Sequence, residues 1–313
     1  MNVLLTVDDS RHTQAAVQFL EALRLGEEWK VYILHVVEPL QELAALRHVP
    51  DLEAGLRTIR PEMIARAQQL VSDFQAQLTD QTGKLTPLVI EGNPSTEILT
   101  AIHEHEIDCV VLGSQGTTSP RTFLLGGVSE RVLNEAPCPV LVVRGQPRWT
   151  TAKKPRGMRI ILAIDGSPDA KAAANFLNTL NLPPSSSVTV LHVVENQDYL
   201  TEHIERSDKP DLVQLAESLM NARHRHGTIL LEETQAMLKH EKVTLQAITK
   251  GHVAEEIVKA AKRIDADLVV MGSRGLSDIE RWVLGSVSHK VVRHAPCSML
   301  VVRHLAPDTP IRF

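Results

Sequence analysis

Asp267-Leu268-Val269-Val270-Met271-Gly272-Ser273-Arg274-Gly275, then nine residues, then Gly285-Ser286-Val287-Ser288, is the stretch that decides the fold. An apolar run of strand length ends on a glycine. A second glycine follows after one short gap, and a third opens a helical segment. Glycines directly after a strand let the backbone approach a ligand and aim its N–H groups outward. A helix N-terminus adds partial positive charge. The combination predicts a phosphate cradle at the carboxyl end of a strand. The same glycine run stands 159 residues earlier with two changed positions: Gly113-Ser114-Gln115-Gly116, nine residues, then Gly126-Gly127-Val128-Ser129.

Other segments repeat in step. Leu34-His35-Val36-Val37-Glu38 returns as Leu191-His192-Val193-Val194-Glu195, and Ala136-Pro137-Cys138 returns as Ala295-Pro296-Cys297. Leu141-Val142-Val143-Arg144 returns as Leu300-Val301-Val302-Arg303. A period this long is a tandem domain duplication, not a solenoid. The 313 residues accommodate two domains of ordinary size. The boundaries read as 1–145 for the first, 146–156 for a linker, 157–306 for the second and 307–313 for a tail. The linker holds Pro147, Pro155 and the cluster Lys153-Lys154-Pro155-Arg156, and reads as solvated.

Each half alternates strands with helices, which implies a parallel sheet covered on both faces. Strands are expected at about 2–8, 30–37, 85–91, 108–113 and 139–144, and again at 158–165, 187–194, 243–250, 267–272 and 298–303. First-half helices are expected at 10–25, 61–82, 94–106 and 127–136. The long stretches 38–60 and 195–210 read as irregular, lid-like or partner-binding loops. Only five Phe, three Trp and two Tyr are present, so the cores are aliphatic.

A net charge of −5 excludes a general nucleic-acid binder. No apolar stretch reaches transmembrane length, and the N-terminus enters a strand without a charged leader, so a cytoplasmic protein with no membrane partner is expected. Cys109, Cys138 and Cys297 are too scattered for a disulfide framework or a zinc site, and read as buried core thiols. His35 and His192 read as packed strand histidines, and His224-Arg225-His226 as a solvated helix face. Asp165 ends the first strand of the second half, where an acid can accept ribose hydroxyls. Neighbouring strands one and four would bring it to Gly272. Arg274 and Arg281 lie in the loop segment and could neutralise phosphate, while Trp282 reads as a packing anchor.

On these residues each half resembles a universal stress protein domain, and the second resembles the ATP-binding branch, whose pattern Gly-x2-Gly-x9-Gly-(Ser/Thr) is met by Gly272, Gly275, Gly285 and Ser286. The resemblance covers the chain apart from linker and tail. It implies an α/β fold: two tandem doubly wound domains, each a five-stranded parallel sheet in the order 3-2-1-4-5. It implies adenine on the Val193 backbone and Asp165, preceded by Ala163 and Ile164, beside the adenosine. Gly272, Gly275, Gly285, Ser286 and Ser288 would hold ribose and phosphates, with Met271 and Val287 alongside and Arg274 near the phosphates. Mg²⁺ would accompany the ATP, with no protein side chain assigned to the metal. The fifth strands would pair the halves as an internal pseudo-dimer, and two chains would associate further.

The first half offers Asp8, Val36, Leu112, Gly113, Gly116, Gly126, Gly127, Val128 and Ser129 at the matching places. It departs at Gly127, where the family has Ser or Thr. Asp9 stands at the place of Gly166 and adds a negative charge near the site, Gln115 stands at that of Arg274, and Pro120 lies in the loop. Weak or no ATP binding is expected there. No catalytic residue is assigned, and the lysine of a P-loop is missing. The leading expectation is an ATP-binding stress-response regulator with an unknown protein partner. The alternatives are a slow ATPase or phosphotransferase, and a nucleotide-free scaffold.

Overall fold

The computed structural model describes residues 1–23, 26, 28–39, 50–78, 83–116, 125–151, 156–194, 210–248, 251–276 and 284–304. The chain divides into two compact units, Met1–Pro147 and Arg148–Phe313.

In the first unit the strands are β1 (Asn2–Thr6), β2 (Lys30–Val37), β3 (Lys84–Glu91), β4 (Cys109–Gly113) and β5 (Val140–Val143). All are parallel, in the order β3-β2-β1-β4-β5. The helices are α1 (Arg11–Leu23), α2 (Pro50–Leu78), α3 (Pro94–Glu104) and α4 (Gly127–Glu135). The second unit opens on a single turn, α5 (Arg148–Thr151). Its strands are β6 (Arg159–Ile164), β7 (Ser187–Val193), β8 (Val243–Ile248), β9 (Leu268–Gly272) and β10 (Ser298–Val302), also parallel, in the order β8-β7-β6-β9-β10. Its remaining helices are α6 (Pro168–Leu177), α7 (Pro210–Met237), α8 (Val253–Arg263) and α9 (Ser286–His294). Strand order reverses beside β1 and beside β6, so each unit has one topological switch point at the carboxyl edge of its sheet.

The central strands are apolar throughout because helices cover both faces. Leu4, Leu5, Val110, Ile160, Ile161, Leu162 and Val270 are all fully buried. The three cysteines are free and buried. Burial, with Cys138 adding to it, pushes the Cys109 thiol well above its ordinary range, which keeps it unreactive.

Three expectations need correction. Helix α2 begins at Pro50, not at residue 61, and Pro61 lies inside it. Proline suits the first helical position, so Pro61 reads as a start. Here Pro50 holds that place, and Pro61 is exposed. The stretch 38–60 is therefore partly helical; residues 40–49 lie outside the described residues, as do 195–209, Arg281, Trp282 and Pro120.

The linker is also more than solvated chain. Trp149 is buried, Arg148 Nη1 reaches Asp265 Oδ1 at 2.6 Å, and Arg156 donates to both oxygens of Asp267 at 2.6 and 2.9 Å. Asp267 is buried and also accepts from the Arg159 N–H at 2.8 Å, so Arg156 supplies the counter-charge its burial requires. Lys153, Lys154 and Pro155 lie outside the described residues.

Asp9, expected to add negative charge at the first crevice, is paired with Arg66 at 2.7 Å, with both side chains largely in solvent. It is not part of the cavity wall.

Candidate adenine-nucleotide site

The same local turn is built in both units from the end of the first strand. Asp165 Oδ1 accepts the Ser167 N–H at 2.9 Å, and Asp8 Oδ1 accepts the Ser10 N–H at 3.0 Å. These are Asx turns, in which a short carboxylate folds the chain back over itself. The serine then caps the next helix: Ala170 N donates to Ser167 Oγ at 3.2 Å, and Thr13 N to Ser10 Oγ at 3.3 Å. With one oxygen held, the other carboxylate oxygen faces the second motif glycine. A Cβ placed on Gly275 would lie 2.9 Å from Asp165 Oδ2, and one on Gly116 would lie 3.1 Å from Asp8 Oδ2. The glycine therefore clears room for the acid.

The helix N-termini stand opposite. Gly285 caps α9 and Gly126 caps α4, and neither makes a side-chain cap hydrogen bond. Both cap N–H groups are tied to the strand turn, Gly285 to the Ser273 carbonyl and Gly126 to the Ser114 carbonyl, each at 2.9 Å. The N–H groups of the first helical turn are thereby aimed at the crevice, with no side-chain acceptor among the described residues. Ser288 and Ser129 donate to the Gly272 and Gly113 carbonyls at 2.9 and 2.8 Å. Their hydroxyl protons are engaged within the protein. To a ligand they offer lone pairs.

Every site residue expected in the second unit lines one cavity of about 390 Å³. It runs from Ala163, Ile164 and Asp165 past Val193 to Met271 and Gly272, then to Arg274, Gly275, Gly285, Ser286, Val287 and Ser288. Val194 N donates to the Ile248 carbonyl at 2.7 Å, toward β8. Successive residues of a strand point their backbone groups to opposite sides, so those of Val193 point toward β6 and the cavity. Arg274 is not solvated: its side chain is 16% exposed and its Nε lies 3.4 Å from Asp169 Oδ2.

The wall also holds residues outside the expected set, four of them from two helices. Val253 and Ile257 come from α8, and Arg223 and His226 from α7. His224, Arg225 and His226 are all exposed, as expected of a solvated helix face, and His226 borders the cavity from that face. A Cβ on Gly227 would lie 2.8 Å from His192 Cδ2, so this glycine lets α7 settle onto β7. A glycine inside a helix is the one signal that could have pointed there. His192 Nδ1 lies 2.9 Å from the Ile164 carbonyl and His35 Nδ1 2.7 Å from the Val7 carbonyl, so both are packed strand histidines, with rings that also line the cavities.

The first unit's cavity is smaller, about 240 Å³. All nine expected residues line it: Asp8, Val36, Leu112, Gly113, Gly116, Gly126, Gly127, Val128 and Ser129. Thr13 stands where the second unit has Ala170, and its hydroxyl donates to Asp8 Oδ1 at 2.5 Å. Among the described residues its wall carries the carboxylates of Asp8 and Glu38 and no Arg or Lys. Glu130 also sits in the first turn of α4, where α9 has no acid. Among the described residues no cluster of three or more His, Cys, Asp or Glu could hold a metal.

Comparison with known proteins agrees with this architecture. The sequence profile of the universal stress protein family matches twice, over residues 1–144 and 158–303. The chain belongs to the universal stress protein family. A Staphylococcus aureus relative from this family is 30% identical over 145 residues, covering 46% of this chain and 82% of that protein. A universal stress protein from Archaeoglobus fulgidus superposes with a TM-score of 0.61 at 20% identity, covering 96% of each chain. A Pseudomonas aeruginosa structure from the same family gives 0.64 at 13% identity, covering 96% of this chain and 92% of that one. At these identities the two structures speak to the fold alone. No helix among the described residues is long and apolar enough to cross a membrane.

Proposed function

We propose that this universal stress protein binds ATP in its second unit and acts as a nucleotide-dependent regulator. The observation that carries the reading is the single cavity in which the Asp165 carboxylate, the Gly275 clearance, the α9 N-terminus and Ser286 converge. Its volume of about 390 Å³ falls in the range of small-molecule sites, roughly 300–1,000 Å³, whereas the 240 Å³ of the first unit falls below it.

The roles follow from chemistry. The Val193 backbone would pair with the edge of adenine, with Val253, Ile257 and Met271 as apolar walls. Asp165 Oδ2 would accept ribose hydroxyls. The first-turn N–H groups of α9 and the Ser286 hydroxyl would donate to phosphate oxygens, and Arg274 would offset their charge. Mg²⁺ would be held by phosphates and water, as is common for this ion. With no lysine clamp and no base aimed at a phosphate among the described residues, the site suits retention of nucleotide better than its turnover. A protein partner would then read the occupied and empty states. Three buried thiols suit a reducing compartment such as the cytoplasm.

The test is to denature purified full-length protein and assay the released nucleotide, then titrate ATP into the emptied protein. One ATP per chain, lost in Gly275→Asp, is the expected result. Equal retention by Gly275→Asp would overturn the site, and sustained phosphate release lost in Ser286→Ala would replace the regulator with an ATPase.

A further inference from the structure

Asp169 is the second residue of α6, and its carboxylate is buried although it is not part of the cavity wall. Three residues from two segments converge on it. Its Oδ2 accepts from Ser273 Oγ at 2.6 Å and lies 3.4 Å from Arg274 Nε; its Oδ1 accepts the His304 N–H at 3.0 Å. Ser273 and Arg274 lie between the first two motif glycines, and His304 lies just past β10. The approach is close enough that a Cβ on Gly272 would stand 2.8 Å from Asp169 Cβ and from the backbone of Asp169 and Ala170. A second bond fastens the same loop to the same helix end, from Ser167 Oγ to the Arg274 carbonyl at 3.2 Å.

The first unit keeps that second bond, Ser10 Oγ to the Gln115 carbonyl at 3.4 Å, but not the first set. His12 stands where Asp169 does, with Ser114 Oγ 3.3 Å from its Nδ1, and Gln115 replaces Arg274. The carboxylate and the guanidinium are thus present together in one repeat and absent together from the other. A buried carboxylate gives short hydrogen bonds of roughly twice the strength of neutral ones. It also needs its counter-charge, which orders Arg274.

We propose that Asp169 is a positioning residue that fixes the Gly272–Gly275 loop in the shape that receives phosphates, and that it does so through Ser273 and Arg274. The proposal rests on the reading of this cavity as an adenine-nucleotide site. It makes a distinction that a general packing role would not. The loop serves the phosphate end, so loss of Asp169 weakens ATP and leaves adenosine, held by Val193 and Asp165, unchanged.

The experiment titrates ATP and adenosine separately into full-length wild-type protein, Asp169→Asn and Ser273→Ala. Ser273→Ala removes one donor to Asp169 without adding volume, and serves if Asp169→Asn does not fold. The expected result is an ATP affinity lower by about tenfold or more in Asp169→Asn and by severalfold in Ser273→Ala, with adenosine affinity within about twofold of wild type. Adding Arg274→Gln to Asp169→Asn should lower ATP affinity by less than it does alone, because the two act as one unit. Wild-type protein that binds ATP, with parallel losses for ATP and adenosine in the folded variants, overturns this proposal alone. Wild-type protein that binds neither ligand overturns the nucleotide reading and this proposal with it.

Discussion

The two crevices share a backbone and differ in chemistry. Both have the Asx turn, the strand histidine, the uncapped helix and the serine that braces the strand-four carbonyl. What changes is a handful of side chains. Gly127 stands for Ser286, Thr13 for Ala170, Gln115 for Arg274, and His12 for Asp169. Among the described residues the first cavity's wall carries Asp8 and Glu38, and the second sets Arg223 and Arg274 against Asp165. The lesson is that the backbone of the candidate cradle is part of the fold and persists in both repeats. Preference for an anion depends on charges and hydroxyls that a duplicate can exchange without disturbing its core.

The contrast can be broken in stability first. Asp267 and Asp108 occupy matching places before the fourth strands. Asp267 is buried on Arg156, whereas Asp108 is exposed and accepts the Asn2 N–H at 2.7 Å. Asp267→Ala leaves Arg156 without its partner and should destabilise the second unit by about 3 kcal/mol, the low end for a buried pair because Arg156 keeps some solvent. Asp108→Ala should cost the first unit about 1 kcal/mol. Denaturant melts followed by hydrogen exchange, which assigns each loss to a unit, check both numbers.

The next largest effect is on binding. Gly275→Asp sets a second carboxylate against Asp165 and should lower ATP affinity by about a hundredfold, or ~2.8 kcal/mol. Gly116→Asp should leave the ATP bound per chain unchanged, and calorimetry of the two variants separates the sites.

The contrast can also be narrowed. A Cβ on Gly127 has nothing within 4 Å, so Gly127→Ser adds the missing hydroxyl without a clash. Its expected effect is about a tenfold gain in the first unit, near 1.4 kcal/mol, read as a second weak site by calorimetry. No gain would mean that cavity size and wall charge, not the hydroxyl, limit this unit.

The smallest effect is on pH. Burial, reinforced by Arg11, holds the His12 pKa below its ordinary value, against the pull of Asp8. Below about pH 6.5 the unfolded chain binds this proton and the folded chain resists it. The stability that His12 contributes is therefore complete above that pH and is lost as pH falls through it. His12→Gln should flatten this part of the first unit's pH dependence between pH 7 and 5, measured by thermal melts; an unchanged slope would assign it to other groups.

Much of this was legible in the chain. Strand runs, motif glycines and the strand-one acids are written in local patterns, and the structure gathers the expected residues of each half into one cavity. Asp165 and Gly275 were recognisable because a strand end and a turn glycine each announce themselves within a few residues. The start of α2 was not, since Pro50 and Pro61 are equally good first-turn prolines and only the fold chooses between them.

By itself the sequence determined the duplication, the parallel α/β units and the positions of both cradles, because periodicity and turn chemistry act over short separations. Only the tertiary structure decided that Arg223 and His226 of α7 wall the second cavity, that Arg66 neutralises Asp9, and that Arg156 supports Asp267. It alone placed Asp169 under the glycine loop, 104 residues away from Ser273. Such contacts leave no local trace in the chain. They arise where packing brings a buried charge to the partner that makes its burial tolerable.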